Sequence, residues 1–264
     1  MKKHKLKKSV GIFAMLALAV GLLAYSTVGG TRAALTYYSQ TYTSQFEMFD
    51  IGITLLENGT EVHQRNYSKD SRDFTEKFSQ QLLTTLTEVG TGKTSDKFEF
   101  GKKYKEELMV ANTGTIDEYV RLTVRKYWVN ADGKTKRTDL DPSLINVHFT
   151  NDPNWLVDSA YTDSSTERTT LIYSTPLKKG EMTEPATDWV TVDSAIKAVV
   201  SEVKTEKKDD GMTVVTTTYT YNGLRFVVEA EAEGVQTHNA VDAIKSAWGR
   251  NVAVDASGRL SLLN

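Results

Sequence analysis

Gly90-Thr91-Gly92-Lys93-Thr94 comes nearest to a nucleotide-binding motif in this chain. A phosphate-cradling loop needs a further glycine five residues before the one that precedes the lysine. It also needs a strand before the loop and a helix after it, so that backbone N–H groups converge on the phosphate oxygens. The first-glycine position holds Thr87. A helix is predicted before the loop and strands after it, so the segment reads as a helix stop carrying a solvated lysine.

Metal or acid–base chemistry would have to come from His63, His148 and His238, the histidines that follow residue 33. No His-Glu-x-x-His motif occurs, and no two of them stand four apart on a helix. A zinc protease would therefore need three ligands and a base gathered from distant parts of the fold. His148, between Val147 and Phe149, reads as a strand residue that faces solvent or satisfies a backbone carbonyl. His238, within Gln236-Thr237-His238-Asn239, could be a ligand or a base, and reads better as a hydrogen-bonded loop histidine. Asp139, Asp141 and Asp152, or Asp209 with Asp210, could attract calcium, but neither set matches an EF-hand loop, and both read as solvated turns. Isolated serines lack a nucleophile-elbow motif, and no cysteine is present. These residues specify no reaction, catalytic group, metal site or cofactor, so the expectation is a protein that is not an enzyme.

The N-terminus is more informative. Lys2, Lys3, Lys5, Lys7 and Lys8 precede an apolar run from Val10 to Ala24, then Gly29-Gly30 and Thr31-Arg32-Ala33-Ala34. A basic segment, an apolar core and a small-residue exit make a secretory signal peptide. The core, about 15 residues, is short for a membrane span of about 20. Cleavage is expected after Ala33, with Ala34 as the alternative, so residues 1–33 form the leader and 34–264 one domain. The leader carries six basic residues and no acid, so its removal takes the formal charge from −2 to about −8. An acidic exported protein is a poor partner for nucleic acid or anionic lipid. The expected location is extracellular, at the cell surface, with the membrane met only before cleavage. Without cysteine, stability must come from the core alone.

The elements that would position any site are mostly strands. Residues 34–46 hold no charge, Gly or Pro, and are rich in Tyr and Thr, which favours an extended segment. Met48–Leu56 continues as a strand to the turn Asn58-Gly59. Phe74, Phe78, Leu82 and Leu86 recur every four residues behind Asp73 and Glu76, predicting an amphipathic helix over 73–88. Beyond Phe98 the period changes to two. Strands are expected over 120–125, 145–149, 169–174 and 189–192, with a hairpin of 198–206 and 213–221 and a buried strand over 224–232. Asn239 is placed to cap a helix over 240–248, with Asp242 in its first turn, and a strand pair closes the chain about Ser257-Gly258. Many short strands with one or two flanking helices, behind a signal-peptide helix, predict a mainly β protein built as an antiparallel β-sandwich.

The leader and its junction, together with Asp50-Ile51-Gly52-Ile53-Thr54-Leu55, resemble the alternate-signal-mediated, SipW-dependent exported proteins of Gram-positive bacteria. That group is related to the TasA/camelysin biofilm-matrix proteins. The resemblance continues in Gly101–Leu108, Asn112–Arg121, Glu229–Ala232 and a final motif of Gln236, Thr237, His238, Asn239 and Asp242. It implies a jelly-roll-like sandwich, release by a dedicated signal peptidase, and assembly into fibres. In such fibres the mature N-terminus of one subunit completes the sheet of the next. Camelysin relatives have also been described as metalloproteases that cleave casein, an activity for which this sequence offers no zinc motif.

The residues lead toward self-assembly on their own. An uncharged tail with Leu35, Tyr37, Tyr38, Tyr42 and Phe46, freed by cleavage, is a strand without a guaranteed partner. A head-to-tail contact between identical subunits does not close and so grows a filament. The expected partners are further copies of this chain and other exported matrix proteins. The alternatives are that residues 34–46 are an edge strand of their own domain, or that the protein is a secreted binding module for cell-wall or host ligands. For the latter, Tyr127, Trp128, Trp155 and Trp189 could form an aromatic platform.

Overall fold

A tight turn at Asn58-Gly59 is the first turn among the described residues. Both residues have positive φ (51° and 81°), the two-residue hairpin geometry whose twist matches that of the flanking strands. The structure, a computed structural model, describes residues 50–68, 73–162, 167–207 and 213–263. The leader, its cleavage site, residues 34–46, Asp209 and Asp210 lie outside the described residues.

The turn joins β1 (Gly52–Glu57) to β2 (Thr60–Ser68), which pairs in turn with β3 (Asp73–Phe78). A small hairpin of β4 (Leu86–Thr87) and β5 (Thr94–Ser95) precedes β6 (Tyr104–Lys105) and β7 (Leu108–Asn112). β8 (Glu118–Val129) turns at Asn130–Gly133 into β9 (Lys136–Arg137). β10 (Ile145–Phe149), β11 (Trp155–Val157), β12 (Arg168–Tyr173) and β13 (Thr187–Val192) follow. β14 (Val200–Lys207) and β15 (Thr213–Tyr219) form a separate ribbon. β16 (Arg225–Gln236) leads to α1 (Ala240–Trp248) and a last pair, β17 (Val252–Val254) and β18 (Leu260–Leu262).

Every strand pairing described is antiparallel, and the described residues are mainly β with one short α-helix. The three larger sheets run β3-β2-β1-β7, β10-β13-β6 and β11-β12-β8-β16, with β9 also on β8, and none closes into a barrel. Their inner faces share one core. Leu55 of β1, Leu108 and Val110 of β7, Leu122 of β8, Ile145 of β10, Leu171 of β12 and Val190 of β13 are all buried there. Alternation explains the choice: along β7 Leu108, Val110 and Asn112 are buried while Met109 and Ala111 are half-exposed. A second cluster seats α1, whose Ile244 and Trp248 pack on Tyr119, Ile172, Val252 and Leu260. Gly249, at φ 68°, ends that helix with its N–H on the Lys245 carbonyl.

The helix expected over 73–88 does not form. Residues 73–78 are strand β3, and Leu82 and Leu86 reach the core from the loop and short strand that follow. A repeat of four fits both one helical turn and two strand repeats, so Phe74 and Phe78 share a face either way. Cross-strand partners decide it: Tyr67 lies opposite Phe74, Arg65 opposite Glu76 and His63 opposite Phe78. Asn239 is likewise not a side-chain cap. It adopts a left-handed conformation (φ 50°, ψ 45°) and only its carbonyl serves the helix, accepting from Ala243 N–H at 2.9 Å.

Candidate functional site

β16 is twelve residues long and has one neighbour among the described strands, β8, to which it pairs along its whole length from Arg225↔Val129 to Gln236↔Glu118. On its other side no described strand follows. In an antiparallel strand about half of the residues direct N–H and C=O away from a given neighbour. β16 therefore presents about six such residues along an open edge. β3, β10 and β11 also end their sheets, but with six, five and three residues. The outer edge of β7, by contrast, is covered: Thr183 N–H donates to Val110 O and Ala186 N–H to Leu108 O, both near 2.9 Å.

A groove of about 580 Å³ runs along part of that open edge. Phe226, Val228 and Ala230 form its floor, and Phe78 with the Gln80–Leu83 loop forms the opposite wall. The wall is tied down from below. Glu57 accepts from Leu83 N–H at 2.6 Å and from the Gln80 amide at 3.4 Å, while Leu83 holds φ 59°. Glu57 faces Glu106, which is fully buried and keeps its proton up to about pH 9. Burial is the main cause, followed by the Glu57 charge and the hydrogen bond the two carboxyls share.

The two faces of β16 differ in charge. Phe226, Val228, Ala230 and Ala232 face the core, whereas Glu229, Glu231 and Glu233 stand on the outer face. There Glu233 pairs with Arg121 at 2.6 Å, Glu231 with Arg125 at 3.2 Å, and Glu229 accepts from the Tyr127 hydroxyl.

At the Gly234 end of the groove the chain emerging from residue 49 enters β1. Asp50 N–H donates to Thr115 Oγ1 (3.0 Å) and Asp50 O accepts from Thr115 N–H (2.8 Å). Gly52 O accepts from Thr113 and Gly114 N–H, and Gly52 N–H donates to Glu118 Oε1 at 2.9 Å. Asn112 braces the turn by donating to Ile116 O and Leu177 O while accepting from Gly114 N–H. Glu118 is fully buried, and its Oε2 has no hydrogen-bond partner among the described residues. Burial lifts its pKa to about 7, against the opposing pull of Gly52 N–H.

The residues singled out for chemistry are not brought together. Among the described residues no three His, Asp or Glu side chains cluster to hold a metal. His148 is half-exposed, stacked on Trp189 at 4.6 Å and 2.7 Å from the Asp188 carboxylate, so its partner is a side chain rather than a backbone carbonyl. His63 stacks on Phe78 at 4.4 Å. Asp139 pairs with Arg137, Asp141 caps the short 3₁₀ turn Pro142–Leu144, and Asp152 accepts from Asn154 N–H. Gly90–Lys93 is the loop of the β4–β5 hairpin, so no helix stands beside it. Gln236, Thr237, His238 and Asn239 link the end of β16 to α1, and Asp242 lies in the helix's first turn. Of the four aromatics considered for a platform, Trp128 and Trp155 are buried in the core, while Tyr127 and Trp189 are half-exposed and Lys103 and His148 pack on Trp189. Sequence reasoning missed Glu57, Glu106 and Glu118, since nothing local separates a buried glutamate from a solvated one.

No described helix is long and apolar enough to cross a membrane. The fold and groove define a mainly antiparallel β protein with one long strand edge on which no described strand pairs. No family model, curated protein or solved structure matches this chain.

Proposed function

We propose that this protein is an exported structural subunit with a jelly-roll-like β-sandwich fold that assembles head to tail into extracellular fibres. Residues 34–46 of one copy, exposed by removal of residues 1–33, add as a strand to the β16 edge of the next. The twelve-residue open edge beside an apolar groove is the observation that carries this reading. Charge favours the same occupant. A second β16 laid on the first would set acidic strands edge to edge, and facing like charges are destabilising. A Tyr/Thr segment without charge meets no such repulsion, and its alternating residues would fill the groove on one side.

The test is negative-stain electron microscopy of protein beginning at Ala34 over a concentration series. Filaments are expected, and deletion of residues 34–46 is expected to leave a soluble monomer. A deletion that assembles equally well overturns the mechanism.

A second reading, a secreted binding module, draws on an exposed aromatic ladder across β2 and β3. His63 stacks on Phe78, Tyr67 meets Phe74 edge-on at 5.3 Å, and the Arg65 guanidinium lies 4.5 Å over the Phe74 ring. Phe78 is 75% exposed. Persistent monomer together with retention on glycans or cells would favour it.

A further inference from the structure

We propose that Glu118 is a proton-operated clasp on the root of the N-terminal segment, closed while its carboxyl is neutral and loosened when it ionises. The proposal deepens the strand-exchange reading and rests on it for its purpose, since the root is where an exchanging strand would be anchored.

The geometry is a box with almost no spare room. A Cβ on Gly114 would stand 2.4 Å from both Glu118 Oε1 and Asp50 O, and one on Gly234 would stand 2.6 Å from Glu118 Oε2. A Cβ on Gly52 would stand 2.7 Å from Gly114 N. Three glycines from three stretches of chain thus close around one carboxyl, which holds Gly52 N–H two residues after Asp50.

Among the described residues no charged group answers that carboxyl from the elements packed on it. Asp50 is acidic, and Asp117 on the adjoining turn is exposed. Glu233 of β16 is engaged with Arg121, Lys178 beyond Leu177 faces Glu181 in solvent, and Arg65 of β2 pairs with Glu76. Among the described residues an ionised Glu118 is therefore compensated only by Gly52 N–H, and opening the root to water relieves it.

The sign follows from linkage. The closed state binds the proton more tightly than the open one, so closure is strongest below pH 4.5 and weakens as pH rises toward 7. Between those values the opening constant rises about tenfold per pH unit, up to about 300-fold, and levels off above 7.

Amide hydrogen exchange on the exported protein, corrected for intrinsic rates, reads this directly. Protection at Gly52 should fall between pH 5 and 7 while that at Leu122 in β8 stays level, and Glu118→Gln should abolish the slope. Carboxyl-carbon NMR of the unmutated protein gives a second readout, with Glu118 titrating near 7 and the Gly52 amide shift following it. A flat Gly52 profile, an unchanged slope in E118Q, or a Glu118 titration near 4.5 would each overturn the clasp. Filaments that form despite a flat profile remove the clasp and spare the fibre reading. A titrating clasp in a chain that never assembles supports the clasp and removes the fibre.

Discussion

Glu57 and Glu106 face each other beneath the groove wall, and the two carboxyls do different work. Glu57 holds the Gln80–Leu83 loop through Leu83 N–H, while neither carboxyl oxygen of Glu106 finds a hydrogen-bond donor among the described residues. With Glu106 protonated, its hydroxyl donates to Glu57 and the pair carries one negative charge in place of two.

A pH dependence of stability follows. The folded state raises the Glu106 pKa from 4.5 to about 9, so it binds more protons than the unfolded chain across that interval. The stability this group contributes is complete below 4.5 and is lost as pH rises through about 9. Urea-denaturation midpoints should accordingly decline from pH 5 to 9. Glu106→Gln, which keeps a donor for Glu57 without an ionisable group, should make that decline shallower. An identical pH profile in E106Q would show that the pair is not the source.

The glycines around Glu118 should differ in cost from a glycine in open space. Gly114→Ala drives a methyl to 2.4 Å from Asp50 O and 2.7 Å from Gly52 N, both backbone atoms that cannot swing away. It should destabilise by about 2–3 kcal/mol. Gly234→Ala meets Ile53 Cδ1 at 2.3 Å and Glu118 Oε2, side chains that can partly yield, so about 1–2 kcal/mol is expected. Gly59→Ala finds nothing within 4 Å and suffers only from its positive φ, about 1 kcal/mol. Equilibrium unfolding of the three variants gives the order, and Gly59→Ala as the most damaging would contradict it.

How far the sequence carried this structure depends on what kind of signal each element wrote into it. Asn58-Gly59 marks a turn because φ > 0 at two successive positions favours those residue types, whereas the strand β2 that makes it a hairpin carries no such mark. Helix 240–248 was legible through its apolar face and Gly249, and β10 through alternation. The 73–88 segment misled because a spacing of four belongs to both periodicities, and only the distant partner β2 could choose between them. The alternation predicts a strand over 224–232, but β16 continues to Gln236 because β8 supplies a partner for Glu233, Gly234 and Val235 as well. The open edge and the glutamate pair were invisible for the same reason: each is a relation between residues some fifty or more apart in sequence.

The last prediction concerns Asp158 and Arg250, which lock the start of the β17–β18 pair to the loop after β11. Asp158 is fully buried and Arg250 Nε stands 2.9 Å from its Oδ1, with the arginine side chain 11% exposed. Asp158 also accepts from Ala160 N–H, so its charge is held by a turn as well as by the ion pair. Removing one member leaves the other's charge uncompensated in a place water reaches poorly, and such losses run to about 3–5 kcal/mol. Arg250→Met and Asp158→Asn should each fall in that range or just below it, since Asp158→Asn keeps an acceptor for Ala160. The double variant should cost less than the two single costs combined, because neither charge then remains to be stranded. A double-mutant cycle by urea unfolding measures the coupling. Strict additivity would mean that the two groups do not depend on each other.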